Sequence, residues 1–153
     1  MANYIKPVVF KLGNELYGVD INMVRGIENQ LNIVPVPNAI SYVKGIINLR
    51  GEVVPIYSLK RKFNMPDTTP LRSCIIINLE QTLLALEVDE VVEIGQLDDK
   101  NITPMPTIVK KEDTMYLDRV ANVDGKLIIL LDVNKLLTED EVESVIKLAE
   151  DLQ

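Results

Sequence analysis

An internal repeat constrains the fold of this chain more than any other feature. Val8-Val9-Phe10-Lys11-Leu12, then Leu16-Tyr17-Gly18-Val19-Asp20-Ile21 with Val24 and Ile27, make up its first block. They return as Ile75-Ile76-Ile77-Asn78-Leu79, then Leu83-Leu84-Ala85-Leu86-Glu87-Val88 with Val91 and Ile94. Ile33-Val34-Pro35-Val36-Pro37 returns as Ile102-Thr103-Pro104-Met105-Pro106. Tyr42-Val43, Asn48 and the stretch from Gly51 to Leu59 return as Tyr116-Leu117, Asn122 and the stretch from Gly125 to Val133. The blocks keep their order, and their separation grows only where loops lengthen. A chain of 153 residues organised this way reads as two similar halves, 6–66 and 73–137, followed by a tail, 138–153.

Each half reads as β structure. Ile and Val together number 35, against 5 Ala and no Trp, and branching at Cβ favours the pleated sheet. Residues 7–12 and 16–21 are strands joined by a Gly13-Asn14-Glu15 turn. Asp20 is a candidate N-cap for a helical-period stretch with Met23, Val24 and Ile27. Pro35 and Pro37 restrict the next strand to an edge or to a short length. Residues 43–50 and 52–57 form a hairpin around Arg50-Gly51, and the second copy uses Asp124-Gly125, a favoured type I′ pair. About five strands in about 60 residues suit a small closed barrel. A unit of that size buries little surface alone, so two barrels sharing a hydrophobic core are expected. The joining segment 64–73 is turn-rich, 96–115 reads as a surface loop, and no sequence rule says whether strands cross between the halves.

The tail carries a capping box, Thr138 as N-cap and Glu141 at N3. Val142, Val145, Ile146, Ala149 and Leu152 follow at helical spacing. This is a C-terminal amphipathic helix, expected to lie on the barrels.

Composition narrows the chemistry. With no His and a single Cys, Cys74, the chain lacks the residues for Ser-His-Asp or Cys-His catalysis and for a His/Cys zinc cluster. A net charge of −7 argues against a nucleic-acid partner, which requires clustered Lys and Arg. The basic run Lys60-Arg61-Lys62 reads as a solvated face. No GxxxxGK[ST] or GxGxxG phosphate loop occurs. The N-terminus has no signal-peptide core and no apolar run is long enough to span a bilayer, so a cytoplasmic protein without direct membrane insertion is expected. Carboxylates remain. Asp20 and Glu87 occupy equivalent positions, as do Asn22 and Asp89, so a carboxylate-based metal-dependent hydrolase is the alternative to a protein that works by contact. It would need these groups to share one cleft; the competing explanation is that each ends a strand and caps a turn.

The first hairpin, Gly45-Ile46-Ile47-Asn48-Leu49-Arg50-Gly51-Glu52-Val53-Val54-Pro55, differs from its own copy. Asn122 and Gly125 are retained, but Arg119 replaces Gly45 and Asp124 replaces Arg50. A contact surface on one half alone would account for that. Together with Leu16-Tyr17-Gly18-Val19-Asp20-Ile21 and Val34-Pro35-x-Pro37, this string resembles the CheW family of bacterial chemotaxis coupling proteins over nearly the whole chain. The resemblance implies two SH3-like five-stranded β-barrels around a common core, one CheW-like domain with no cofactor. It also implies a non-enzymatic adaptor between the cytoplasmic tip of chemoreceptors and the regulatory domain of the histidine kinase CheA, recruited to receptor arrays. By the same resemblance Asn48, Arg50 and Gly51 fall on the receptor-contacting hairpin, Val24 and Ile27 on the receptor groove, and Gly45 at a position tied to partner binding. Ile33 and Val36 fall near the kinase surface. Where many members carry an acid between Val24 and Ile27, this chain has Gly26, and Glu28 follows two positions later. A salt bridge implied there therefore passes to Glu28 or is lost.

Overall fold

A computed structural model describes residues 4–29, 32–36, 42–66, 73–79, 82–106, 108 and 114–151. Pro37, the joining residues 67–72, Glu112-Asp113 and Leu152 lie outside the described residues, as does the side chain of Ala149. The first repeat runs β1 (Tyr4–Ile5), β2 (Pro7–Leu12), β3 (Glu15–Asp20), a 3-10 turn (Ile21–Met23), β4 (Val24–Asn29), β5 (Val43–Leu49), β6 (Glu52–Ser58) and a single helical turn, α1 (Leu59–Lys62). The second runs β7 (Ser73–Asn78), β8 (Leu83–Val88), β9 (Glu90–Ile94), β10 (Leu97–Asp98), a 3-10 turn (Asp99–Asn101), β11 (Ile102–Pro104), β12 (Leu117–Val123), β13 (Lys126–Leu131) and a 3-10 turn (Val133–Lys135). The helix α2 (Glu139–Asp151) follows.

Five strands pair in the order β4-β7-β8-β6-β5, six in the order β11-β12-β13-β3-β2-β9, and β1 pairs with β10. By the sequence repeat, β2, β3, β4, β5 and β6 correspond to β7, β8, β9, β12 and β13. The two large sheets thus have the same order of equivalent strands, yet neither is made from one repeat. Each takes its central hairpin from one half and its remaining strands from the other, so the sheets do not follow the boundaries 6–66 and 73–137. Exchange covers each central hairpin on both faces. Along β2, Val8, Phe10 and Leu12 enter the largest buried cluster while Val9 enters a separate one. Along β7, Ile75 and Ile77 enter the largest cluster while Cys74 and Ile76 enter the third. Period-two alternation with both faces buried explains why these strands read as unbroken apolar runs.

The protein is mainly β, with two SH3-like sheet units around the shared cluster. Closure is incomplete: β4 and β5 end one sheet, and β9 and β11 the other. Two prolines sit where no ladder donor is needed: Pro104 lies in edge strand β11, and Pro35 follows the isolated bridge between Val34 and Ile46. The stretch 96–115 is less loop-like than expected, because β10 pairs with β1 and β11 with β12. In α2, Val145 is 1% exposed and joins the shared cluster, so the helix lies on its own sheets. Its capping box forms in both directions: Glu141 N donates to Thr138 Oγ1 at 3.2 Å, and Thr138 N donates to Glu141 Oε1 at 3.1 Å.

Candidate functional site

The segment after Asp20 was expected to be helical, and only its first residues are. Asn22 N donates to Asp20 Oδ1 at 2.9 Å, capping a single 3-10 turn, and Val24–Asn29 then extends as edge strand β4. Its register against β7 slips between Val24 and Gly26, leaving Arg25 as a bulge. Val24 pairs with Ile77 and Ile27 with Ile75, so the extra residue returns both apolar side chains to the same face. On that face Val24 packs against the shared core, while Ile27 is 37% exposed. Beside it, Ile27, Asn29, Ser73, Lys11, Asp89 and Val91 line an open groove between β4 and β9. The structure therefore brings Val24 and Ile27 together, as a strand with a bulge.

The hairpin β5–β6 turns through Arg50 at φ 52° and Gly51 at φ 90°, and the second copy turns through Asp124 at φ 52° and Gly125 at φ 85°. Glycine meets the left-handed requirement without strain at the second position. Gly51 N donates to Asn48 Oδ1 at 2.9 Å, and Gly125 N to Asn122 Oδ1 at 3.1 Å. Asn48 and Gly51 thus have structural work that both halves share. Arg50 has no such double. Its side chain is 84% exposed and its Nη2 lies 3.5 Å from Glu28 Oε1 on β4. Arg25, the bulge residue, reaches Glu52 at 3.8 Å. Two ion pairs therefore span the gap between edge strand β4 and the hairpin tip, above a cleft floored by Leu49, Ile76 and Leu83. Glu28, not residue 26, is the acid opposite Arg50.

Gly45 is buried and offers no surface. A Cβ there would collide with the Val34 carbonyl oxygen and lie 2.7 Å from Ile33 Cγ2, because segment 32–36 crosses directly over it. Val34 N donates to Ile46 O, and Ile46 N to Val34 O, both at 2.9 Å. In the second half Arg119 occupies this place, and β11 pairs over three residues instead. Ile33 packs against the cluster of Ile47, Val54 and Ile76, Val36 is half-buried, and Val34 is 57% exposed. The large hydrophobic that this segment turns outward is therefore Val34, which sequence reasoning missed. Alternation about the single bridge was the available signal.

The carboxylates are committed separately. Glu87, 7% exposed, receives the Lys44 ammonium at 3.0 Å on both oxygens. Asp89 sits 2.6 Å from Lys60 Nζ and accepts from Gly13 N at 2.7 Å. Asp20 caps its turn. Among the described residues no three His, Cys, Asp or Glu side chains gather as a metal site. The basic run also departs from expectation. Lys60 is buried against Asp89, and Lys62 lies 4.9 Å from the Tyr42 ring centroid and 5.5 Å from that of Tyr116, a cation–π seat within the fold. Burial pushes the Cys74 thiol up to about 12, which suppresses the thiolate needed for nucleophilic chemistry.

Comparison with known proteins agrees with this geometry. The family model described as CheW-like domain matches residues 6–141. Chemotaxis protein CheW of Treponema pallidum is 30% identical over 147 residues, covering 92% of this chain and 86% of that protein. Chemotaxis protein CheW of Klebsiella aerogenes is 32% identical over 140 residues, covering 90% and 84%. The crystal structure of the scaffolding protein TtCheW from Thermoanaerobacter tengcongensis superposes with a TM-score of 0.81 at 32% identity, covering 91% of this chain and 96% of that one. A family model spanning nearly the whole chain, and relatives and a fold that match over nine-tenths of it, place this protein in the CheW family.

Proposed function

We propose that this chain is a non-enzymatic chemotaxis adaptor coupling the cytoplasmic tip of chemoreceptors to the regulatory domain of the histidine kinase CheA. One observation carries the reading beyond family membership: two turns share a backbone, and only one presents an exposed arginine at an ion-paired seam. An exposed Arg beside apolar edge residues is the composition of a recognition surface. In this reading Val24, Ile27 and Arg50 make the receptor contact, and Asn48 and Gly51 hold Arg50 in place. Ile33, Val36 and the exposed Val34 belong to the kinase contact. Gly45 acts beneath both, since it lets segment 32–36 lie on the strand that leads into the hairpin. Holding two partners at once raises their effective concentration without bond-making, so the role needs no cofactor.

The adaptor works in the cytoplasm and is recruited to receptor arrays by its partners. No helix among the described residues is long and apolar enough to cross a membrane, and the charge of −7 disfavours nucleic acid. The test is titration of the protein with a receptor tip fragment and, separately, with the CheA regulatory domain. Binding to both is expected, and binding to neither removes the adaptor reading.

A further inference from the structure

Sorting the described pairings by repeat divides them cleanly. Within a repeat they are the hairpins β2–β3, β5–β6, β7–β8 and β12–β13, the β11–β12 pair and the bridge between Val34 and Ile46. The remaining pairings, β4–β7, β6–β8, β13–β3, β2–β9 and β1–β10, all join one repeat to the other. The buried clusters are divided the same way. Phe10 and Tyr17 share a cluster with Ile77 and Leu86, Ile47 and Ile56 with Ile76 and Ala85, and Val9 with Ala121 and Leu130. The ion pairs Lys44–Glu87 and Lys60–Asp89 also cross between repeats. Taken alone, a repeat retains mostly hairpins, which are marginal in water, and a segment of its size buries little surface.

We propose that each repeat is the docking partner of the other, so the chain is a tethered pair of half-molecules and a second copy of the chain can supply either half. The occupant follows from the pairings. The open edges of hairpin β2–β3 are filled by β9 and β13, and those of β7–β8 by β4 and β6. A second copy carries the same strands in the same register, so exchange rebuilds every pairing, as in domain swapping. The covalent tether keeps the intramolecular arrangement dominant at low concentration.

The test uses full-length protein with a protease site inserted between Pro70 and Leu71, cleaved after folding. Both fragments should co-elute with an unchanged β spectrum. Tenfold dilution should lower the melting temperature of the cleaved protein by about 3–5 °C and leave that of the uncut protein unchanged. Fragments that separate, or melting independent of concentration, overturn the proposal. Mixing isotope-labelled and unlabelled cleaved protein should yield assemblies of intermediate mass; parental masses alone overturn exchange with a second copy. Should the insertion prevent folding, the unaltered chain decides: refolding from urea at high concentration should yield a dimer fraction, and monomer at every concentration overturns the exchange.

Discussion

Hairpins β5–β6 and β12–β13 have the same turn and hold up different structures. Both keep the Asn side chain on the Gly amide and a bulge one residue before the Gly45 or Arg119 position. Above the first, a glycine lets segment 32–36 cross with a single bridge; beside the second, an arginine stands and β11 pairs as a regular strand. The bulge residues differ as well. Lys44 runs inward to a buried Glu87, whereas Asp118 stays half-exposed and contacts its neighbour Arg119 at 3.0 Å. Features present twice report what the fold requires. Features present once mark where one half has been adapted, and they concentrate along β5 and its turn.

The largest effect that separates the halves should come from the bulge residues. Lys44→Ala takes the ammonium from a buried carboxylate and should lower the unfolding free energy by about 3 kcal/mol, the scale for breaking a buried pair. Asp118→Ala should cost less than about 0.5 kcal/mol, since exposed pairs contribute little. Urea unfolding of the two variants provides the comparison, and equal midpoints would show that the buried pair does not distinguish the halves. Next comes the glycine. Gly45→Ala forces a Cβ against the Val34 carbonyl and should cost about 1–3 kcal/mol, the range for overpacking. It should also weaken CheA regulatory-domain binding by displacing segment 32–36. Arg119→Gly should leave that binding unchanged, as isothermal titration can check.

The duplication, the hairpin turns and the C-terminal cap could be read from residues because each rests on local chemistry. Asn-x-x-Gly specifies its turn, and Thr138 and Glu141 specify theirs, whatever surrounds them. The exchange of hairpins could not be read this way. Val8 to Leu12 shows that both faces are buried but not which strand lies alongside, since any apolar neighbour satisfies that pattern. The spacing of Val24 and Ile27 reads as helical, whereas the two lie on a bulged strand. A bulge adds one residue, which turns a same-face spacing of two into three, the spacing of a helix. Lys60 and Lys62 looked like solvent-facing charge because their partners, Asp89 and the Tyr42 and Tyr116 rings, are distant in sequence. Glu28 is legible in the sequence only as an acid two positions past Gly26; its approach to Arg50, 3.5 Å, depends on the fold.

Two smaller substitutions separate recognition from turn formation. Arg50→Glu sets a second carboxylate beside Glu28 on a well-exposed tip. The fold loses only a surface pair, worth at most about 1 kcal/mol, so the melting temperature should barely move. Receptor affinity should fall more than about tenfold, roughly 1.4 kcal/mol. Asp124→Lys, the reverse change on the other hairpin, should leave receptor affinity intact. Unchanged affinity in Arg50→Glu would remove this residue from the receptor surface. The smallest effects should be the matched ones. Asn48→Ala and Asn122→Ala each delete one side-chain acceptor on an exposed glycine amide, at about 0.5–1 kcal/mol. If Asn48 serves only the turn, the two stability losses should agree, and receptor affinity should fall in Asn48→Ala only through poorer placement of Arg50. A double-mutant cycle between Asn48→Ala and Arg50→Ala measures that dependence. Strictly additive affinity losses would mean that Asn48 touches the receptor itself, and the turn would then be duplicated in form but not in use.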